Sequence, residues 1–162
     1  MLKSKRKFLA GISLVTAFAI SGVSAAVAQD IILTVTHDGQ SLTFDRDALE
    51  ALGTETIETS TIWTEGTHSF EGVSLARLMQ EVGAQEGKLI ATAVNDYSVD
   101  IPLSDAVEDG PLIAMKMDGA EMSLRDKGPL WVIYPYDANS DYRSEVVYSR
   151  SIWQLDRLEI VD

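Results

Sequence analysis

The sequence predicts an α+β fold, a single domain with a mixed β-sheet and short helices. Three observations carry that reading. Short segments of alternating polarity rich in Thr, Val and Ile recur along the chain, helical periodicity is confined to short stretches, and neither an internal repeat nor a low-complexity segment interrupts them.

Taken in order, residues 31–36 and 41–44 flank His37-Asp38-Gly39-Gln40 as a hairpin, because Asp-Gly supplies the positive φ of a tight two-residue turn. Asp45 caps a short helix whose Ala48, Leu49 and Leu52 share a face, and Gly53 ends it. Residues 54–62 read as the next strand, followed by a loop that carries Trp63 and, further on, a solvent-facing His68. The second helix is the clearest: Ser74 is its N-cap, Leu75, Leu78, Met79 and Val82 repeat at helical spacing, and Gly83 closes it. Residues 88–94 and 97–101 form two strands joined at Asn95-Asp96, with Pro102 as the stop. One helical turn over 104–107 precedes the strand 112–117, which ends at Asp118-Gly119. Gly128-Pro129 introduces a strand over 130–134, terminated by Pro135. The polar loop 136–145 is long enough to suggest a functional lid, and strands over 152–155 and 158–161 complete the sheet.

Residues 1–28 read as a signal peptide. Lys3, Lys5, Arg6 and Lys7 precede an apolar run from Phe8, and Ala26-Val27-Ala28 has the small residues a signal peptidase requires. Cleavage is expected after Ala28, giving a periplasmic protein with no membrane insertion; an uncleaved anchor is the alternative. Residues 29–162 are then one domain large enough to bury a core without staples. The formal net charge is −12, and removal of the basic leader makes it more negative. Such a field repels phosphodiester backbones and anionic headgroups, which argues against nucleic acid or lipid as partners.

The chain contains no cysteine. That closes disulfides, thiol nucleophiles, covalently attached haem, iron–sulfur clusters and thiolate metal ligands. With only two histidines, His37 and His68, a multi-histidine metal site is excluded within one chain. Polar and aromatic residues gather instead at strand ends, where sites are usually built: Trp63, then Asn95, Asp96 and Tyr97, then Arg125, Asp126 and Lys127, then Tyr148, Ser149, Arg150 and Trp153.

Read together, these segments resemble a known family. Phe70-Glu71-Gly72-Val73-Ser74-Leu75 and the helix after it are similar to the F-x-G-V-x-L-x-x-L-L pattern of the sulfite-oxidase-like molybdopterin-binding domain. Asn95-Asp96-Tyr97, Ile101-Pro102-Leu103-Ser104-Asp105, the strand 112–117 with Asp118-Gly119, Lys127-Gly128-Pro129-Leu130-Trp131 and Tyr148-Ser149-Arg150-Ser151-Ile152-Trp153 follow in that family's order. The resemblance covers residues 57–161 and implies a sulfite-oxidase-like fold.

Family enzymes bind molybdenum through the pterin dithiolene and one protein cysteine on the loop before the F-x-G-V-x-L block. Here that loop reads Thr59-Ser60-Thr61-Ile62-Trp63-Thr64, and a hydroxyl oxygen is a poor substitute for a soft thiolate. The chain therefore resembles the short exported pterin-binding proteins, which implies a pterin ligand without molybdenum. It further implies a non-catalytic regulator whose partner is the periplasmic domain of a membrane enzyme making or degrading cyclic di-GMP. Two alternatives stand beside it: a molybdopterin-dependent oxidoreductase or redox subunit with non-sulfur ligation, and an interaction domain whose cleft has closed.

A pterin is a flat bicycle with donors on its 2-amino-pyrimidine edge and a carbonyl acceptor. Trp63, Tyr97 and Trp153 are the candidates for stacking, worth roughly 1–3 kcal/mol per ring if nucleobases are a guide. Asp96 is the candidate acceptor for the amino edge, and Arg150 or Lys127 the cation for the carbonyl or a side-chain phosphate.

Overall fold

The Asp38-Gly39 turn forms as its residues dictate, with φ of 51° and 73°, and joins β1 (Leu33–His37) to β2 (Gln40–Phe44). The computed structural model describes residues 30–161; the expected signal peptide lies outside the described residues. Among these, no helix is long and apolar enough to cross a membrane.

The strands sort into two sheets. The first has the order β2-β1-β10-β5-β6, where β5 is Lys88–Ala93, β6 Ser98–Pro102 and β10 Leu155–Val161. It is mixed, since β1 and β10 run parallel while its other pairs are antiparallel. The second is antiparallel, in the order β3-β4-β7-β8 with β9 also on β7; these are Glu55–Ser60, Thr67–Ser74, Leu112–Met117, Ala120–Glu121 and Trp131–Ile133. One contiguous hydrophobic cluster, including Leu33, Leu89 and Leu155 from the first sheet and Phe70, Ile113 and Val132 from the second, joins them. The fold class is α+β, as expected from the sequence.

The two expected helices form with their caps. The Asp45 carboxylate accepts from Ala48 N at 2.8 Å to start α1 (Arg46–Ala51). The Ser74 hydroxyl accepts from Arg77 N at 3.3 Å to start α2 (Leu75–Val82), which Gly83 ends at φ 75°. Leu75, Leu78 and Met79 are its buried residues, the apolar face the spacing assigned.

Three of the differences from the sequence reading bear on the sheets and the site. Residues 67–74, read as loop, are β4, the strand between β3 and β7. Its alternation breaks at an irregularity between Glu71 and Gly72, so Phe70, Gly72, Val73 and Ser74 are all buried and the period of two is lost. Gly72 is required there, since a Cβ would lie 2.0 Å from the Ile113 carbonyl oxygen. His68, expected to face solvent from a loop, belongs to this strand and binds Asp118. Residues 145–150 form a third helix, α3 (Glu145–Arg150), where only loop and chain end were read. The closing strands are one strand, β10, and Trp153 lies before it, making a single bridge to Trp131.

Candidate functional site

Three loops and a helix converge on a cleft of about 500 Å³, within the range of about 300–1,000 Å³ of ordinary small-molecule sites. The turn after β3 contributes Trp63, the β5–β6 turn Asn95 and Tyr97, α3 Glu145, Tyr148 and Ser149, and the stretch before β10 Ser151, Ile152, Trp153 and Gln154.

Each wall is set by local chemistry. Trp63 is placed by a hydroxyl turn: Thr61 Oγ1 accepts from Trp63 N at 3.1 Å and bonds Thr64 Oγ1 at 2.8 Å. Its indole meets Trp131, Tyr136, Tyr148 and Trp153 edge-on, with centroids 5.8, 6.5, 5.9 and 5.8 Å away. Such edge-to-face contacts fix a ring's orientation as well as its position. In the β5–β6 turn, Asn95 Oδ1 accepts from Tyr97 N at 3.2 Å while Asp96 takes φ 65°, which turns the Tyr97 ring outward. Ser144 Oγ accepts from Val147 N at 3.4 Å and starts α3. Glu145, Tyr148 and Ser149 then occupy positions i, i+3 and i+4 and share the face that lines the cleft. Beneath them Ser151 is buried, bonding Tyr136 Oη at 2.5 Å and donating to Val147 O, while its carbonyl accepts from Trp131 Nε1 at 3.1 Å. Burial pushes the Tyr136 phenol up to about 12, so it stays neutral and serves as a structural hydroxyl.

Of the six residues expected at the site, Trp63, Tyr97 and Trp153 line the cleft. The other three do not. Lys127 sits beside the wall, its Nζ 5.1 Å from the Trp153 ring centroid and 5.5 Å from that of Trp131. Arg150 donates from Nη1 to Asp105 at 2.9 Å, and Asp105 also accepts from Tyr134 Oη at 2.7 Å. Asp96 accepts from Arg157 Nη2 at 2.6 Å. Asp96, expected to accept from the ligand's amino edge, and Arg150, expected to answer its carbonyl or phosphate, are thus each held by another protein side chain. Arg150 lies five positions after Glu145 and two after Tyr148, off the face that meets the cleft, which is why it reaches Asp105 instead.

Glu145, Tyr148, Ser149, Asn95 and Gln154 also line the cleft, with Ala93, Ser151 and Ile152, and were missing from the expected set. The signal for three of them was Ser144, whose cap would have defined α3 and its i, i+3, i+4 face.

The loop expected to act as a lid is tied down. Asp137 accepts from Ser60 N at 2.6 Å and Ser60 Oγ at 2.9 Å, and Arg143 Nη2 donates to it at 3.1 Å. The Ser60 donors, with Arg143 behind them, hold the Asp137 carboxyl below the usual range. Arg143 Nε also donates to Tyr136 O at 2.7 Å. Only the far end of this segment, Glu145, reaches the cleft.

The same contacts decide how the donor set suits a metal-bearing cofactor. Thr59 Oγ1 donates to Ser60 O and accepts from Asp137 N, Ser60 Oγ is held by Asp137, and Thr61 and Thr64 bond each other. The hydroxyls of the loop where a cysteine ligand would sit are thus committed to internal bonds, and none is left free to take the place of a thiolate. Among the described residues, no cluster of three or more His, Asp or Glu could hold a metal ion. The aromatic walls do fit a flat heterocycle.

No curated protein matches the chain significantly. The family model of the oxidoreductase molybdopterin binding domain matches residues 47–139, from α1 through β9, and the chain belongs to that family.

Proposed function

We propose that this protein is a non-catalytic pterin-binding module. One observation carries the reading: a cleft of pterin size walled by Trp63, Tyr97, Tyr148 and Trp153, in a family whose cofactor is a pterin derivative, with no sulfur and no uncommitted hydroxyl at the metal-ligand loop. Stacking supplies affinity at roughly 1–3 kcal/mol per ring, and Glu145, Asn95, Ser149 and Gln154 supply polar atoms for the heterocycle edge.

The module is exported to the periplasm by residues 1–28, and it reports ligand to the periplasmic domain of a membrane enzyme that makes or degrades cyclic di-GMP. One feature supports a partner. Val94, Tyr97, Val146 and Trp153 are exposed apolar side chains at or beside the cleft, so a docked protein would cover ligand and rim together. A ligand shifts a partner only through a difference in affinity between two states, and a ligand lying in a shared interface supplies that difference directly.

Protein purified after export from a pterin-producing strain is expected to release a fluorescent pterin on denaturation, or to bind added pterin at micromolar concentration, with molybdenum below about a tenth of an atom per chain. Molybdenum approaching one per chain would establish the oxidoreductase reading in its place. Retention of neither would leave the interaction-domain reading.

A further inference from the structure

The charge of the cleft restricts which pterin it takes. Molybdopterin ends in a phosphate, and a site for it needs a cation or a set of free N–H donors. Among the described residues lining this cleft the one formal charge is the Glu145 carboxylate. The basic side chains nearest in sequence to its walls are paired away from it, Arg143 with Asp137, Arg150 with Asp105, and Arg157 with Asp96 and Asp156, and Lys127 lies over the Trp131 and Trp153 rings outside the lining. Glu145 itself is exposed and lies on the cleft face of α3, and its carboxylate makes no hydrogen bond or ion pair with another described residue.

An uncommitted carboxylate beside exposed aromatic faces is suited to a planar ligand that presents two adjacent N–H donors. The 2-amino-4-oxopyrimidine edge does so, through its ring N–H and its amino group, and a carboxylate accepts both at once. The same carboxylate opposes a phosphate, since like charges facing each other across an interface are strongly unfavourable.

We propose that the cleft selects a phosphate-free 2-amino-4-oxopyrimidine heterocycle, and that Glu145 is the residue that reads its donor edge. This rests on the pterin-binding reading and narrows it. Guanine shares the edge, so the two sources are separated by the choice of probe.

The test is a fluorescence titration of the full chain, its Glu145→Gln and its Glu145→Lys variants, with neopterin, neopterin monophosphate and guanosine. The wild type is expected to bind neopterin at least about tenfold more tightly than the monophosphate. Glu145→Gln is expected to weaken neopterin about tenfold, and Glu145→Lys to bring the monophosphate level with neopterin or ahead of it. Because the Glu145 side chain makes no hydrogen bond or ion pair and meets only the N-terminal dipole of α3, Glu145→Gln is expected to melt close to the wild type and Glu145→Lys slightly below it. Equal binding of neopterin and its monophosphate by the wild type, or an unchanged neopterin affinity in Glu145→Gln, overturns the inference and leaves the pterin reading intact. Binding of guanosine alone, lost in Glu145→Gln, overturns the pterin reading and keeps the inference. Binding of none of the three overturns both.

Discussion

Replacing Trp153 by alanine separates ligand affinity from stability. The Trp153 ring is 38% exposed, meets Trp63 and Trp131 edge-on at 5.8 and 6.4 Å, and carries the Lys127 ammonium 5.1 Å from its centroid. Two edge contacts at about 0.5–1.5 kcal/mol each put the packing loss at roughly 1–3 kcal/mol. The half-buried cation–π contact adds about 0.5–1 kcal/mol. For a domain of this size the fold should survive, with a lowered urea midpoint. If Trp153 is one face of the stack, the ligand loses about 1–3 kcal/mol, which is a rise in Kd of roughly 5- to 150-fold. Trp153→Phe keeps a ring and should recover most of that affinity while losing part of the packing. The assay is titration with a fluorescent pterin, run beside urea unfolding of each variant. A folded Trp153→Ala protein whose Kd lies within about twofold of the wild type would refute the stacking argument.

Three other outcomes follow from the contacts. Both His68 ring nitrogens face acceptors, Asp118 at 2.7 Å and the Glu65 carbonyl at 2.9 Å, so the imidazolium is the satisfied form; the Asp118 hydrogen bond above all raises the His68 pKa, and the same bond lowers that of Asp118. The stability due to His68 is fully present below its ordinary value of about 6.5 and is lost as pH rises through the raised one. That due to Asp118 is present above about 3.9 and is lost as pH falls through the depressed one. The Tm gap between wild type and His68→Gln should therefore be widest between these values and narrow as the pH climbs past neutrality; a gap that widens there would contradict the assignment. Gly72→Ala puts a Cβ 2.0 Å from the Ile113 carbonyl, prying β4 from β7 at an overpacking cost of about 1–3 kcal/mol plus about 1 kcal/mol for each ladder bond lost, measurable as a fallen urea midpoint. Arg150→Ala removes a partner of Asp105 and should cost about 2 kcal/mol of stability while leaving pterin affinity within about twofold, because the side chain lies outside the cleft.

Much of the fold was legible wherever local chemistry is self-sufficient. Asp38-Gly39 specifies its turn alone, and Ser74, the Leu75-Leu78-Met79 spacing and Gly83 specify α2 from cap to cap. β4 escaped because Gly72 contributes no side chain to the pattern and the adjoining irregularity shifts its phase, both consequences of the close approach of β7. α3 escaped because Val146 and Val147 are β-branched and two strand-like segments follow; only Ser144 marked its start. In the site, the aromatic residues beside turns could be found from the sequence, since a large ring next to a loop has few places to go. The ionic partners could not, because a guanidinium is assigned by helix rotation: one hundred degrees of turn per residue sends Glu145 into the cleft and Arg150 to Asp105. The missing cysteine was legible outright, but the capture of Ser60 by Asp137, 77 residues away, needed the fold.

The most direct measurement follows the three tryptophan indole N–H signals by ¹⁵N-correlated NMR while a pterin is added. Trp63 and Trp153 line the cleft, whereas Trp131 is fully buried with its Nε1 donated to the Ser151 carbonyl. The account predicts saturable shifts of the Trp63 and Trp153 signals, with Trp131 moving least. Signals that all stay in place at a pterin concentration of about 1 mM, where even a weak site of about −4 kcal/mol is half filled, would contradict it.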